Sequence, residues 1–342
     1  MEEKSKVKHK AKLVIAILLA FVILLVGIYN VVRWYGKNSL TQGTDNPWAW
    51  AMNPAGEGVC AELDGTTYYY RSDIINILCV GVDKEGEMNG PDYSGASRGQ
   101  ADAIFLLSLD TTQKEIRVIV VPRDSMVTLS VYDILGNYAG TMEGQIALQY
   151  AYGDGLLQSG ELMRSRVSDI LGGIPIHGYA AMDLECIGIL NDAIGGVELT
   201  MDEDYTMLDE AFEKGATVRL MGEQAMHFVR NRDTEIPGSA YTRLTRQKQY
   251  LEAFEEQAKN AIREDATLPL TVLEQMKDYL VTDMSVSQMT YLASEVLDYE
   301  FSQENVYVLE GEIQMKGEHE AYYLNYDSVF QLKLKLFCKT EE

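Results

Sequence analysis

Arginines and carboxylates that could share one ligand fall in four short stretches, each where an apolar run meets a loop. Asp83 closes the run INILCVGVD (Ile75–Asp83). SRGQAD brings Arg98, Gln100 and Asp102 ahead of a second apolar run, and PRDS puts Arg123, Asp124 and Ser125 after a third. Further on, FVRNRDTE carries Arg230 and Arg232, and RLTRQ carries Arg243, Arg246 and Gln247. Guanidinium groups take phosphate oxygens two at a time, and a hard divalent cation bridges such oxygens to carboxylates. These residue types suit a phosphate or diphosphate.

Each also has a plainer reading. Arg123 and Asp124 fit a structural ion pair at a strand end, and isolated aspartates such as Asp83 and Asp102 commonly cap or turn the chain. Arg230 and Arg232 stand i, i+2 and share no helix face unless the helix ends there, which the following DTEIPG favours. Arg243 and Arg246 do share a face, which equally describes an exposed charged stripe. His177 and His227 have no partner at metal-ligand spacing and read as structural. No GxxxxGK[ST] phosphate loop, GxSxG elbow or HExxH helix occurs. Ser125 has no histidine nearby in sequence to activate it as a nucleophile.

The elements that must position these groups follow from periodicity. INILCVGVD reads as a buried strand, and ADAIFLLSLD and EIRVIVVPRD as two more, joined by the hairpin turn DTTQK. GQIALQYAYG and GELMRSRVSDILG carry helical patterns, IHGYAAMD reads as a strand and LECIGILNDAIGG as a helix closed by glycine. GEQAMHFVRNR is a further helix and RLTRQKQYLEAFEEQAKNAIRED a long amphipathic one. Beyond about Leu268 come two more helical patterns and a strand, NVYVLEG. Strands interleaved with helices predict an α/β fold with a mixed central sheet sandwiched by helices.

A chain of 342 residues with 46% hydrophobic content has ample core material, and its net charge of −23 is spread along its length. That argues against nucleic acid as a partner, which needs a basic surface. The basic start KSKVKHKAK is the exception, and the uncharged run Leu13–Val32 follows it at once. About 20 apolar residues are what a helix needs to cross a bilayer. This run outlasts a signal-peptide core and leaves through NVVRWYG, with Trp34 and Tyr35 suited to the interface. The flanking lysines keep the N-terminus cytoplasmic and place the rest outside the cell membrane. The organisation expected is a basic tail (1–12), a transmembrane helix (13–33), a juxtamembrane linker (34–70), a catalytic domain (71–265) and a C-terminal α/β segment (266–342) packed on it. The four cysteines have no CxxC spacing, so zinc is not expected; Cys79 and Cys186 sit in apolar runs. A Cys60–Cys338 bridge suits an exported domain, though the sequence does not fix the pairing.

NILCVGVD, ADAIFLLSLD, VIVVPRDS, LQYAYGDG, ILNDAIGGVEL, LMGEQAMHFVRNRD and RLTRQ occur in one series between about residues 75 and 250. In that order they make the chain resemble the LytR-CpsA-Psr family of membrane-anchored envelope proteins of Gram-positive bacteria. The resemblance implies a phosphotransferase. Such proteins move a glycopolymer (teichoic acid, capsule or related polysaccharide) from a polyprenyl diphosphate carrier onto peptidoglycan, with the lipid tail in an apolar channel between sheet and helices. The family's metal-linked aspartates fall on Asp83 and Asp102, for Mg²⁺ or Mn²⁺. Its diphosphate-binding arginines fall on Arg123, Arg230, Arg232 and the Arg243/Arg246 segment with Gln247. Asp83 and Asp124 are the carboxylates available to take the acceptor's proton.

One position departs from the family, which commonly has arginine two residues before the second aspartate; here it is Gln100. Glutamine keeps hydrogen-bond donors but loses the fixed charge and fork. Either Arg98 reaches in from its loop or the site grips phosphate less strongly. Two rival readings follow, a polyprenyl diphosphate phosphatase using water as acceptor, and a non-catalytic polyprenyl-phosphate-binding regulator of the envelope. A scaffold ectodomain, the weakest rival, predicts no apolar channel.

Overall fold

The structure, a computed structural model, describes residues 30–40, 58–84, 88, 98–133, 135–183, 185–231, 239–316 and 319–340. Helix α1 covers 30–40. Then follow β1 (Val59–Leu63), β2 (Thr66–Tyr70), β3 (Ile74–Val82), β4 (Ala101–Asp110), β5 (Glu115–Val120), β6 (Met126–Tyr132), β7 (Tyr138–Gln145), α2 (Leu148–Ala151), α3 (Leu157–Ile170), β8 (Gly178–Asp183) and α4 (Cys186–Ala193). The second half runs β9 (Val197–Thr200), β10 (Thr217–Leu220), α5 (Glu223–Arg230), α6 (Ser239–Glu264), α7 (Leu268–Met276), β11 (Leu280–Thr282), α8 (Val286–Val296), β12 (Glu300–Val308), β13 (Gly311–Lys316), β14 (His319–Leu324), α9 (Tyr326–Phe337) and β15 (Cys338–Thr340).

A six-stranded mixed sheet in the order β11-β8-β3-β4-β5-β12 is the frame. Strands β3, β4 and β5 form an antiparallel meander, while β8 runs parallel to β3 and β12 parallel to β5. Side chains alternate across a strand, and β3 shows why its run is apolar throughout. Leu78, Val80 and Val82 face one cluster with Leu106, Ile119 and the α3 residues Met163 and Val167, whereas Ile75 and Ile77 face another with Leu109, Ile116, Tyr291 and Tyr299. A strand covered on both faces has no polar side to alternate with. The DTTQK turn closes as expected, with Lys114 at φ 59° and the buried Asp110 carboxylate accepting from the backbone N–H groups of Thr112 and Gln113. A separate lobe of α4, β9, β10, α5 and the first half of α6 packs around Phe212, Phe228 and Tyr250.

Several boundaries differ from those read in the sequence. GQIALQYAYG is not one helix: Gly144 and Gln145 close β7, and only Leu148–Ala151 is helical. Gly144 lies against Leu129 and Gln145 pairs with Met126 across the β6–β7 hairpin, whose second strand is mostly exposed and alternates weakly. The segment 266–342 supplies both edge strands of the sheet, β11 and β12, so its packing on the rest is integral. Part of the expected linker is ordered as well. Residues 34–40 are helical, and β1 and β2 form a sheet with β15 that a Cys60–Cys338 disulfide ties together. The expected span 13–33 lies mostly outside the described residues; among those described, no helix is long and apolar enough to cross a membrane.

His177 is structural, as read. Its Nδ1 accepts the Asn76 backbone N–H at 3.0 Å, while the His177 backbone N–H donates to the Asn76 carbonyl at 2.8 Å. Burial, aided by the charge of Arg164, pushes its pKa down to about 4. The unfolded histidine titrates near ~6.5, so between those values the unfolded chain holds a proton that the folded chain does not. Stability therefore falls as pH drops through that window, by roughly 2–3 kcal/mol from this group. Urea melts at pH 7.5 and 4.5 should show a smaller acid loss in His177→Gln than in wild type; equal losses would remove this histidine as the cause.

Candidate functional site

The carboxyl ends of parallel strands are where open α/β sheets bind ligands, and β3 and β8 end side by side, with Val82 paired to Asp183. Asp83 is the next residue. Its backbone N–H donates to the Gln100 carbonyl at 2.9 Å, which holds the loop before β4 against the end of β3 and places Asp102 nearby. Ala147 completes the stitching: its carbonyl accepts from Ala101 N at 3.0 Å, and its N–H donates to the Arg123 carbonyl at 3.1 Å. Three residues beyond β5, Arg123 is thereby brought back to the start of β4.

Two arginine–aspartate pairs result. Arg123 Nη1 donates to Asp102 Oδ1, and Arg123 Nε lies 3.7 Å from Asp124 Oδ1, which also accepts from Gln145 Nε2 at 3.2 Å. Arg230, the last residue of α5, donates from Nη2 to Asp83 Oδ1 at 2.9 Å. All four partners remain partly open to solvent, with side-chain exposures from 25% at Asp102 to 50% at Asp83. Each pair sets two groups of opposite charge where a ligand carrying both signs, a metal-complexed diphosphate, would replace the partner.

Other expected ligands have different duties. Arg246 is 2% exposed, and its guanidinium donates to the carbonyls of Phe228 and Asn231 while stacking over the rings of Tyr205 (5.5 Å) and Phe228 (5.7 Å). Gln247 Nε2 donates to the Val229 carbonyl at 3.2 Å. A helix ends with carbonyls that lack intrahelical partners; these two residues satisfy them at the end of α5. In this structure Arg246 and Gln247, both expected at the diphosphate, are engaged with backbone carbonyls. They fix the helix end that presents Arg230. Arg98 donates to the Gly153 carbonyl and lays its stem against Gly155, whose φ of 76° suits glycine. The Gln100 side chain is exposed while its carbonyl serves Asp83. Ser125 is fully buried, beside the bridge to Tyr322, and presents no open nucleophile. Arg232 and the side chain of Arg243 lie outside the described residues.

One residue went unread. Asp183 closes β8 as Asp83 closes β3, is 2% exposed, and accepts the Glu185 N–H at the start of α4. Burial raises its pKa, while Arg230 and Lys84 pull the other way. A run ending in Asp, IHGYAAMD, was the available signal.

As to a cation, Asp83 and Asp102 offer two hard carboxylate donors. Among the described residues no group of three or more His, Cys, Asp or Glu could hold a metal. Mg²⁺ is ordinarily bound by one or two carboxylates with substrate phosphates completing its shell. The residues fit a cation completed by a diphosphate and not one caged by protein alone.

An apolar cavity of about 480 Å³ lies between the sheet and helices α6, α7 and α8. Met182, beside Asp183, lines it, as do Leu107 and Val118 from the sheet and Leu251, Val272 and Leu292 from the helices.

A profile of the LytR_cpsA_psr family matches residues 54–336. The chain belongs to that family. Among LytR_cpsA_psr relatives, the Bacillus mycoides (strain KBAB4) protein named polyisoprenyl-teichoic acid–peptidoglycan teichoic acid transferase TagU is 27% identical over 183 residues, 54% of this chain and 52% of that one. The match thus spans about half the length of that relative. A protein of the same name from Halalkalibacterium halodurans is 25% identical over 252 residues, 74% of each chain. Among solved structures, gbs0355 from Streptococcus agalactiae superposes with a TM-score of 0.61 at 19% identity, over 78% of this chain and 87% of that one. TagT bound to LI-WTA gives 0.56 at 20% identity, over 82% and 95%. These likenesses carry the LytR_cpsA_psr fold, a mixed sheet flanked by helices.

Proposed function

We propose that this protein is a phosphotransferase that moves an anionic glycopolymer from a polyprenyl diphosphate carrier onto peptidoglycan. The observation that carries the reading is the occurrence of the Arg123–Asp102 and Arg230–Asp83 pairs on the same sheet as an apolar cavity whose lining residue Met182 pairs with Gly81, two residues before Asp83. A headgroup bearing two phosphates meets the arginines while its hydrocarbon tail enters the cavity. Relatives named as teichoic acid transferases support the choice of reaction.

In this mechanism Arg123 and Arg230 release their aspartates to take diphosphate oxygens, joined by Arg232 and Arg243. Asp83 and Asp102 would hold Mg²⁺ or Mn²⁺, which when bound neutralises diphosphate charge. A sugar hydroxyl of peptidoglycan forms a bond to the phosphorus attached to the glycopolymer, and the bond from that phosphorus to the bridging oxygen breaks. Polyprenyl phosphate leaves with the electron pair. Asp124, held by Gln145, takes the hydroxyl proton. The chain's contribution is positioning and fixed charge, with no covalent intermediate. The uncharged run Leu13–Val32 anchors the protein in the cell membrane with this domain outside; the exposed Trp34 and Tyr35 of α1 and the Cys60–Cys338 bridge support that placement.

The test supplies the purified full chain with a labelled polyprenyl diphosphate-linked teichoic acid, Mg²⁺ and peptidoglycan. Label on the peptidoglycan with release of polyprenyl phosphate is the expected result. Equal release without peptidoglycan would make the protein a phosphatase. Tight binding of the lipid with no turnover would make it a regulator.

A further inference from the structure

Of the residues lining the apolar cavity, only Glu255 and Lys259 are charged among those described. They stand one turn apart on α6, and their ion pair is largely buried, with side-chain exposures of 21% and 14%. A solvated helix-face pair would be far more open than this.

Two independent rulers place Lys259 in the part of the cavity remote from the arginines, with Ile262 the α6 lining residue beyond it. Along α6, Arg246 and Gln247 sit at the head of the site, and thirteen residues, about 20 Å of helix, separate Arg246 from Lys259. Across the sheet, the lining residue Met182 pairs with Gly81, two residues before Asp83, whereas the lining residue Phe301 pairs with Ile116 near the start of β5. Strand β12 is parallel to β5, so its beginning lies away from Arg123. Lys259 Nζ donates to the carbonyl of Tyr299 there, tying α6 to the turn between α8 and β12. One turn on, Arg263 Nη2 repeats the tie to the Leu297 carbonyl at 3.0 Å. Behind this closure Tyr299 is 1% exposed, with its hydroxyl bonded to Glu295 and Lys114 over its ring.

We infer that the Glu255–Lys259 pair is the floor of the cavity and sets how long an apolar chain it accepts; the inference rests on the prenyl diphosphate reading above. Hydrocarbon gains by entering the apolar upper cavity. On reaching the pair it would have to displace the remaining water from an ammonium and a carboxylate and offer them nothing in return, which is unfavourable. Affinity then stops rising with chain length at the floor, and any further isoprene units leave the cavity elsewhere.

The experiment titrates the full chain in detergent with prenyl diphosphates of increasing length, from farnesyl through geranylgeranyl to longer chains. Wild type should reach a plateau. In Glu255→Ala/Lys259→Ala the plateau moves to longer chains, and the first chain beyond the wild-type plateau gains about tenfold or more in affinity, in keeping with burial of additional CH₂ groups. Farnesyl diphosphate should bind both proteins alike. Should the alanine variant melt, Glu255→Gln/Lys259→Gln keeps a donor for Tyr299 while removing both charges, and the same shift is expected at about threefold. An unmoved plateau in a folded variant would overturn the floor assignment. A wild type that binds no prenyl diphosphate would instead overturn the proposed function.

Discussion

Arg230→Ala is expected to slow glycopolymer transfer by about 10²–10³-fold, the usual effect of removing one preorganised donor from a site where charge develops. Arg230 ends α5, and its neighbours leave it little freedom: Arg246 and Gln247 hold the carbonyls of Phe228, Val229 and Asn231 around it. Its guanidinium is therefore delivered to the site at small entropic cost. The Asp83 partner lost in the variant is half exposed, so the ion pair itself contributes little to folding. The melting temperature should hardly change while kcat collapses. Arg230→Lys keeps the charge but not the two-pronged geometry and should recover only part of the rate. Single-turnover transfer, measured beside a thermal melt, separates the two effects. A variant within about threefold of wild type would remove Arg230 from the mechanism, since a donor worth 10²-fold could not be missed.

Loss of the Cys60–Cys338 disulfide is expected to cost about 2–5 kcal/mol of stability. The bridge spans 278 residues of sequence and joins β1 to β15, so it ties the two ends of the described domain together and sharply restricts the unfolded chain. Its surroundings are already tuned to that arrangement. Lys333, 6% exposed, donates to the carbonyls of Cys60 at 2.7 Å and Gly172 at 2.8 Å and lies over the Tyr70 ring; burial lowers its pKa. If reduction loosens β1, that ammonium loses an acceptor while still buried, which adds to the cost. Denaturant melts of oxidised, reduced and Cys60→Ser/Cys338→Ser protein should show the last two alike and both weaker than the first. The remaining cysteines, Cys79 and Cys186, are pushed up to about 12 by burial and should resist labelling until the protein unfolds. Coincident melts with and without reductant would show that the bridge contributes nothing.

The fold was legible where local pattern and tertiary role coincide. INILCVGVD, ADAIFLLSLD and EIRVIVV are apolar because the sheet buries both faces of each strand, and the long α6 announces itself by a stripe that packs on sheet and lobe. Strand β7 was not legible, because a mostly exposed strand with Gly140 and Gly144 in it needs no hydrophobic alternation; β6 does alternate, with Val127 and Leu129 buried, and was the signal available for the hairpin. Strand β11 was not legible either; β12 was read in part as NVYVLEG, but the place of both strands at the two edges of the sheet was not, because the centre of that sheet lies far earlier in the chain.

For the site, residue types and order picked out Asp83, Asp102, Arg123 and Arg230 within a wider set that also held Arg98, Gln100, Asp124, Arg232, Arg243, Arg246 and Gln247, because guanidinium and carboxylate at element ends have few uses other than caps, ion pairs and phosphate binding. Sequence also carried the family, through an ordered series of motifs that are each weak singly. Which charges face outward was settled by tertiary structure only. Arg230 and Arg246 look equivalent in sequence, yet one pairs with an open aspartate and the other is buried on the carbonyls of a helix end. The same holds for Lys259, an ordinary member of an i, i+4 pair in the sequence that becomes the one cation among the described residues lining an apolar cavity. Composition fixes which charges a chain carries; whether each one meets solvent, backbone or hydrocarbon depends on contacts between residues far apart in sequence, and no local pattern encodes those.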